Sequence, residues 1–293
     1  MLLMQQNFQQ NKIKILFIGG NGRIGNVIVP LLSKKYSVIV PNSKELNWSN
    51  QKEVSDYLTI NQFDVLINLS YYYRPSINNL NIYYVNKAII DNIKFHCKYF
   101  KQIIQIGSII EEIGQTKYKF ISNKPLTIWR KQDLYEINKY YALSTLKQTN
   151  NYINLRIPPC FGIQSHIDLY IHSLIYNYLR KDSSQIDIPR NDIPMPYLYV
   201  YDLASIIDYI IQNKFVKHEF RIIETKNISK SDIAIYIKKQ INNTSIYANT
   251  HITEALEIKL QAANSNVHFS LPSKLNIYQY IEQCIQNPYS VSR

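Results

Sequence analysis

The sequence predicts an α/β protein, with helices packed on both faces of a parallel sheet and a smaller α/β lobe towards the C-terminal end. Three observations support this prediction. A dense apolar run at residues 13–18 ends in a cluster of glycines, strand-like and helix-like segments alternate up to residue 162, and 293 residues suffice for one large domain or two small ones. Strands that alternate with helices are joined by right-handed crossovers, which make the sheet parallel.

The glycine cluster directly follows the first predicted strand. Four of the seven glycines of the chain lie between residues 19 and 25. Both Gly20-x-Gly22-x-x-Gly25 and Gly19-x-x-Gly22-x-x-Gly25 are spacings of dinucleotide-binding turns, in which the backbone approaches a pyrophosphate at a helix N-terminus. We therefore expect a Rossmann-type, doubly wound sheet. The cofactor contacts expected from this turn are Gly19, Gly22, Arg23, Ile24 and Gly25.

The end of the second predicted strand, residues 36–40, indicates which dinucleotide binds. An Asp or Glu at the strand end would bind the ribose 2′-hydroxyl of NAD, and neither is present there. Ser43 and Lys44, together with Arg23, could instead hold a 2′-phosphate. NADP is therefore the predicted cofactor, with NAD as the alternative.

The following segments complete the predicted sheet. Helix-like spacing at 51–60 precedes a strand at 63–70, and a long helix at 78–100 precedes a strand at 101–108. Ser108 ends that last strand. We expect it at the edge of the sheet where ligands bind.

Tyr135 and Lys139 lie four residues apart, so they share one face where this stretch is helical. An ammonium group beside a phenol is expected to lower the pKa of the phenol, which would let the tyrosine exchange a proton near neutral pH. Because the chain has 25 tyrosines, such a pair arises easily by chance. The position of the pair, after a strand that ends in Ser108, favours a functional role over a chance occurrence.

The ordered set of motifs resembles the extended short-chain dehydrogenase/reductase family, and within it the NAD-dependent epimerase/dehydratase group that acts on nucleotide sugars. The matching motifs are the glycine turn, Ser108, Tyr135-x-x-x-Lys139, Leu155-Arg156-Ile157-Pro158-Pro159-Cys160-Phe161-Gly162 and Tyr197-Leu198-Tyr199-Val200-Tyr201-Asp202-Leu203-Ala204. The resemblance covers nearly the whole chain. It implies an enzyme that uses NAD(P) on a nucleotide-sugar substrate, in polysaccharide biosynthesis.

The resemblance also implies roles for single residues. Ser108 would hydrogen-bond the substrate oxygen, Tyr135 would transfer a proton to or from it, and Lys139 would orient the nicotinamide ribose. Asn86 would be a structural or water-relay residue. The other cofactor contacts implied by the resemblance are Asn68, Leu69, Ser70, Asn86, Tyr135, Lys139 and Pro158.

Several reactions stay open. Reduction of a 4-keto sugar, as in dTDP-4-dehydrorhamnose reductases, is favoured by the compact length and by residues 45–49. A 4-epimerase with tightly bound NAD is the alternative. A dehydratase is disfavoured because Ile109 and Ile110 stand where acidic residues are needed, although a register slip would bring Glu111 into play. A non-catalytic, dinucleotide-sensing protein is the alternative from another class.

The predicted dinucleotide-binding domain covers residues 13–162, with 197–213 returning to it. The predicted substrate-binding lobe covers 163–196 and 214–293, with helical spacing at 168–179 and 231–241. The resemblance allows a homodimer through the helices at 78–100 and 133–149. Candidate side chains near the substrate are Arg180, Arg190 and Arg221 for a diphosphate, and His166 or His172 with Cys160, which we interpret as a packing residue.

Composition excludes other classes. A net charge of +12 suggests a nucleic-acid partner, but the lysines are spread over the whole chain among Asn, Ile and Tyr, so we predict none. No apolar run is long enough for a membrane span, and no signal peptide is recognisable, so the predicted location is the cytoplasm. Three widely spaced cysteines form neither a disulfide framework nor a metal-binding pattern.

Overall fold

The computed structural model of the chain describes residues 12–73, 78–121, 124–162, 170–179, 192–224, 227–241, 257–262 and 268–286. The strands in these ranges are β1 Lys14–Ile18, β2 Ser37–Ile39, β3 Val65–Asn68, β4 Gln102–Ser108, β5 Tyr152–Ile157, β6 Cys160–Phe161, β7 Leu198–Tyr199, β8 His218–Glu224, β9 Glu257–Ala262 and β10 His268–Pro272. The α-helices are α1 Gly25–Ser33, α2 Gln51–Ile60, α3 Asn79–Phe95, α4 Glu111–Tyr118, α5 Lys131–Leu146, α6 Tyr170–Leu179, α7 Val200–Gln212, α8 Lys230–Ile241 and α9 Ile277–Gln286.

Eight of these strands form one central sheet in the order β10-β9-β8-β5-β4-β3-β1-β2. The strands from β2 to β8 in this order are parallel, and β9 and β10 extend the sheet in antiparallel orientation. The chain moves outward from β1 to β2 and then returns to the other side of β1 to form β3. This reversal is the topological switch point, where open α/β sheets bind ligands.

Helices cover both faces of the sheet. Successive residues of a strand point to opposite faces, so a strand that is apolar throughout must be buried on both sides. Ile15 and Phe17 of β1 belong to a core cluster shared with α1 and α7. Leu16 and Ile18 belong to a second cluster shared with α2, α3 and α5. An apolar run without polar alternation is therefore what this central strand needs. The prediction of a doubly wound, Rossmann-type sheet is confirmed.

A separate core cluster lies around α6, α8 and α9. Phe161 of β6 is part of it, next to the short parallel pair of β6 and β7. The helix α7 packs against α1, whereas β8, β9 and β10 lie within residues 214–293 and continue the central sheet. The division into a dinucleotide-binding domain and a substrate-binding lobe stays a prediction.

Among the described residues, no helix combines the length and the apolar character that crossing a membrane requires. Cys97, Cys160 and Cys284 form no disulfide bond with one another.

Candidate active site

A cavity of about 1380 Å³ opens at the carboxyl ends of β1, β3 and β4. It begins at the glycine turn after β1 and ends at Met195, Tyr197 and Lys230, beside the core cluster around α6, α8 and α9. Single drug-sized ligands occupy pockets of about 300–1,000 Å³. This cavity therefore has room for more than one small ligand.

The glycine turn forms one end of the cavity. Gly19 has a φ of +79°, and a Cβ atom at this residue would lie 2.7 Å from the backbone nitrogen of Ser70. Only glycine adopts this conformation readily and also allows the close approach of the two backbone segments. The turn is closed by the Gly22 N–H, which donates to the Gly19 carbonyl at 3.0 Å.

Most residues predicted as cofactor contacts line the cavity, and four do not. The lining members are Gly19, Gly22, Arg23, Ile24, Ser43, Leu69, Ser70, Tyr135, Lys139 and Pro158. Gly25, Lys44, Asn68 and Asn86 lie outside the lining. Because Lys44 is exposed and outside the wall, Arg23 and Ser43 are the predicted 2′-phosphate ligands that face the cavity.

Asn68 and Asn86 support the wall from behind. The Asn68 side chain is buried, accepts hydrogen bonds from the Ser70 backbone N–H at 3.1 Å and the Ser70 hydroxyl at 2.6 Å, and donates to Gln105. The Asn86 amide accepts from the Tyr72 N–H at 2.8 Å and donates to the Tyr72 carbonyl at 3.0 Å. Asn86 therefore fixes the backbone of the loop after β3, and its role as a structural or water-relay residue stays a prediction.

The three predicted catalytic residues converge on one part of the cavity wall. Ser108 is the last residue of β4, and α5, which packs along β4, carries Tyr135 and Lys139. The side chain of Ser108 lies close enough to the phenol of Tyr135 to lower its pKa, and both residues line the cavity. The Tyr71 ring packs edge-on against the Tyr135 ring, with 4.7 Å between centroids and 81° between planes.

Lys139 is buried beside this pair. Its Nζ lies 5.7 Å from the centroid of the Tyr135 ring and donates to the Ile106 carbonyl at 2.9 Å. Burial lowers the pKa of Lys139 to about 8, because the charged ammonium loses its water.

The expected pKa shift of the phenol was in the wrong direction. The sequence suggested that Lys139 would lower the pKa of Tyr135. In the structure burial raises the pKa of Tyr135 to about 12, and the nearby Ser108 side chain opposes this only in part. The phenol therefore carries its proton at neutral pH, as a proton donor must.

Glu111 does not line the cavity, whereas Ile109 and Ile110 do. The Glu111 carboxylate is buried behind β4, with Oε2 at 2.9 Å from Nε of Arg156. The register slip that would bring Glu111 towards a ligand is therefore absent from this structure.

Other predicted substrate contacts have different outcomes. Cys160 is half-buried and packs against the core cluster shared by β1, α1 and α7, as expected of a packing residue, and it also lines the cavity near Tyr135. Arg221 lies outside the lining and has its Nη1 3.9 Å from Glu112. His166, Arg180, Arg190 and the side chain of His172 lie outside the described residues.

Sequence reasoning missed several wall residues. Lys230, the first residue of α8, lines the far end with Tyr197, and Tyr71 and Tyr72 line the middle. The only available signal for Lys230 was its position directly before a predicted helix. No group of three or more His, Cys, Asp or Glu side chains suited to a metal ion occurs in the described part of the chain.

The sequence model described as NAD dependent epimerase/dehydratase family matches residues 15–223. The chain belongs to this family. The match covers the glycine turn, Ser108, Tyr135 and Lys139, so the predicted membership is confirmed. No curated protein sequence matches the chain at a significant level.

Solved structures with the same fold include nucleotide-sugar enzymes. A GDP-D-glycero-L-gluco-heptose synthase from Campylobacter jejuni, crystallised in the presence of NADPH, has a TM-score of 0.60 and 14% identity over 81% of this chain and 87% of that chain. A GDP-mannoheptose C4 reductase from Campylobacter jejuni with NADP bound has a TM-score of 0.58 and 16% identity, with 80% and 86% covered. A dTDP-4-dehydrorhamnose reductase from Yersinia enterocolitica has a TM-score of 0.55 and 20% identity, with 79% and 81% covered. At sequence identities of 14–20%, these comparisons show that this epimerase/dehydratase family member shares the fold of the three enzymes, and no more than that.

Proposed function

We propose that this member of the epimerase/dehydratase family reduces a 4-keto group on a nucleotide-linked sugar, with NADPH as the reductant. The observation that carries the proposal is the convergence of Ser108, Tyr135 and Lys139 on the wall of a cavity that begins at a glycine turn. Ser108 and Tyr135 could polarise and protonate a carbonyl oxygen. The glycine turn could hold the diphosphate of a dinucleotide.

The residues present fit a bound dinucleotide. Gly19 and Gly22 line the cavity without side chains, so the backbone of the turn is open to a pyrophosphate. Arg23 and Ser43 face the cavity at the end where the adenosine ribose would lie, which favours a 2′-phosphate and hence NADP. The heptose synthase and the C4 reductase named above were crystallised with NADPH and NADP, which supports the same choice.

Reduction needs one hydride and one proton. When bound, the reduced nicotinamide supplies the hydride to the carbonyl carbon. Tyr135 donates its phenolic proton to the carbonyl oxygen, and the hydroxyl of Ser108 hydrogen-bonds the same oxygen as negative charge develops on it. A phenol whose pKa is raised to about 12 is fully protonated at neutral pH and suits this direction of transfer.

Two features separate this proposal from the related reactions. A sugar 4,6-dehydratase needs a carboxyl group that removes the C5 proton, and Glu111 is turned away from the cavity. A 4-epimerase takes the proton from the sugar hydroxyl first, which requires a tyrosine that is readily deprotonated, and burial acts against this for Tyr135.

The residues at the end of the cavity away from the glycine turn favour a negatively charged substrate. Lys230 is the basic residue of the lining at this end among the described residues, and Tyr197 lies on the same wall. An ammonium and a tyrosine are suited to a diphosphate and a nucleoside. The GDP- and dTDP-linked substrates in the names of the similar structures belong to the same chemical class.

The test is oxidation of NADPH, followed by absorbance, when the purified protein is mixed with 4-keto-6-deoxy nucleotide sugars. We expect turnover with NADPH that is lost in Tyr135→Phe. Interconversion of 4-hydroxyl epimers without added cofactor would instead identify the epimerase. Binding of NADPH without turnover of any such sugar would favour the non-catalytic dinucleotide-sensing protein. Cytoplasmic location, a role in polysaccharide biosynthesis and a homodimer stay predictions from the sequence.

A further inference from the structure

Glu111 is a buried acid directly behind the proposed catalytic pair. It is the first residue of α4, three residues after Ser108, and its side chain is 1% exposed. Its Oε1 accepts a hydrogen bond from the backbone N–H of Ser108 at 3.0 Å. Its Oε2 accepts from the Asn154 amide at 2.9 Å and pairs with Arg156 at 2.9 Å. Both carboxylate oxygens are therefore engaged with the ends of β4 and β5.

Gly107 provides the space that this arrangement needs. A Cβ atom at residue 107 would lie 2.2 Å from Oε1 of Glu111 and 2.6 Å from Oδ1 of Asn154. A side chain at residue 107 and the carboxylate of Glu111 would therefore occupy the same space. The glycine in β4 and the acid in α4 form a matched pair, because any larger residue at 107 would displace the carboxylate from the Ser108 amide.

The charge of Glu111 acts on both titratable members of the site. It raises the pKa of Tyr135 and partly offsets the lowering of the pKa of Lys139 by burial. Burial raises the pKa of Glu111 itself, against the hydrogen bond from Ser108 and the charge of Arg156. Cys160 of β6 also raises the pKa of Tyr135, more strongly than Glu111 does, and Tyr71 packs against the Tyr135 ring. The other groups that face this cluster are Tyr152 and Arg156 from β5, Glu219 and Arg221 from β8, and Glu112 from α4.

We propose that Glu111 is a positioning residue of this site. It anchors the backbone of Ser108 from inside the protein and sets a buried negative charge behind Tyr135 and Lys139, so that the phenol is kept as a proton donor and the ammonium is kept charged. Glu111 itself touches neither substrate nor cofactor. This inference rests on the proposed function for its catalytic consequence and on the described geometry for its structural one.

The first test compares Glu111→Gln with Glu112→Gln. Glu112 is the next residue of α4, is 64% exposed and also approaches Arg156, with Oε1 at 3.5 Å from Nη1, so its substitution removes an equal charge without touching Ser108. We expect the alkaline limb of the pH profile of kcat to move to lower pH in Glu111→Gln, because Tyr135 and Lys139 both lose a negative neighbour. We expect no movement in Glu112→Gln. Equal movement in both variants, or none in Glu111→Gln, would overturn the proposal.

The second test uses the competition between residues 107 and 111. Gly107→Ala leaves every charge in place and pushes the carboxylate off the Ser108 amide. We expect kcat to fall about tenfold, as the loss of one hydrogen bond to a charged group implies, with the KM for NADPH nearly unchanged. In the Glu111→Ala background the same change should have little further effect on kcat. If the losses of kcat in Gly107→Ala and Glu111→Ala add up in the double variant, the anchoring role is wrong. An unchanged kcat in the single variant Gly107→Ala would also overturn it, even where the Glu111 variants do not fold.

A third measurement separates this inference from the proposed reduction. NADPH affinity, followed by nicotinamide fluorescence from about pH 6 to about pH 10, reports the charge of Lys139 without any sugar. We expect the affinity of Glu111→Gln to fall at lower pH than that of the wild type or Glu112→Gln. Where no 4-keto sugar is reduced, the proposed reaction fails and this binding curve alone decides the role of Glu111. Coincident curves would reject it.

Discussion

The side chain of Ser108 faces the phenol of Tyr135 at the cavity wall and lowers its pKa, although 26 residues lie between them in the sequence. The contact depends on α5 packing along β4, so that one residue comes from a strand end and the other from the first turns of a helix. A hydroxyl and a protonated phenol are thereby brought together beside a buried ammonium.

Tyr135→Phe should lower kcat by about 10²–10⁴-fold, the usual contribution of a general acid, because the ring remains but the proton donor is lost. NADPH affinity, measured by fluorescence titration, should be nearly unchanged. Tyr140→Phe on the same helix is the matched control, since Tyr140 packs against Tyr118 outside the cavity lining. Comparable losses in both variants would contradict the assignment of the acid.

Lys139→Met should raise the thermal stability of the protein at pH 7 while it lowers NADPH affinity and kcat. The pKa of Lys139 is lowered from 10.5 to about 8 by burial, so folding disfavours the charged form. Between about pH 8 and the unfolded pKa the unfolded chain holds one more proton than the folded chain, and wild-type stability therefore gains from rising pH. The stability gap between variant and wild type should be largest below pH 8 and should narrow above it. Melting temperatures measured across this range check the sign, and a gap that widens with pH would be inconsistent with a buried charged lysine.

Ser43→Ala and Arg23→Ala should each raise the KM for NADPH by about tenfold or more, the value of a lost hydrogen bond to a charged group, with little effect on NADH. Lys44→Ala is the matched control, because Lys44 follows Ser43 and lies outside the cavity lining. The measurement is the ratio of kcat/KM with the two cofactors. An equal effect on NADH would show that these residues do not distinguish a 2′-phosphate.

Lys230→Ala should raise the KM for the nucleotide sugar without changing the KM for NADPH, because Lys230 lines the end of the cavity away from the glycine turn. Removal of one charged contact to a diphosphate corresponds to about a tenfold change or more. Lys238→Ala, near the other end of α8, is the control. A rise in the KM for NADPH in place of the sugar would reverse the assumed orientation of the two ligands.

Local sequence patterns were sufficient for the fold. The apolar run, the glycine spacing and the helical spacing at 51–60 depend on near neighbours in the chain, and each lies where it was predicted, with α2 at Gln51–Ile60. The convergence of Ser108, Tyr135 and Lys139 was also foreseeable. Strand ends of a parallel sheet share one edge, and a helix places residues four apart on one face.

The sequence by itself determined the family, the doubly wound sheet and the types of residue at the candidate site. Only the tertiary structure decided the protonation of that site, because the pKa values of Tyr135 and Lys139 follow from how deeply packing buries them and not from their spacing. The same holds for Glu111, which turns inward because Arg156 and Asn154 from β5 meet it there. Contacts between segments far apart in the chain determine how deeply these side chains are buried and which charges surround them. A local sequence pattern does not contain this information.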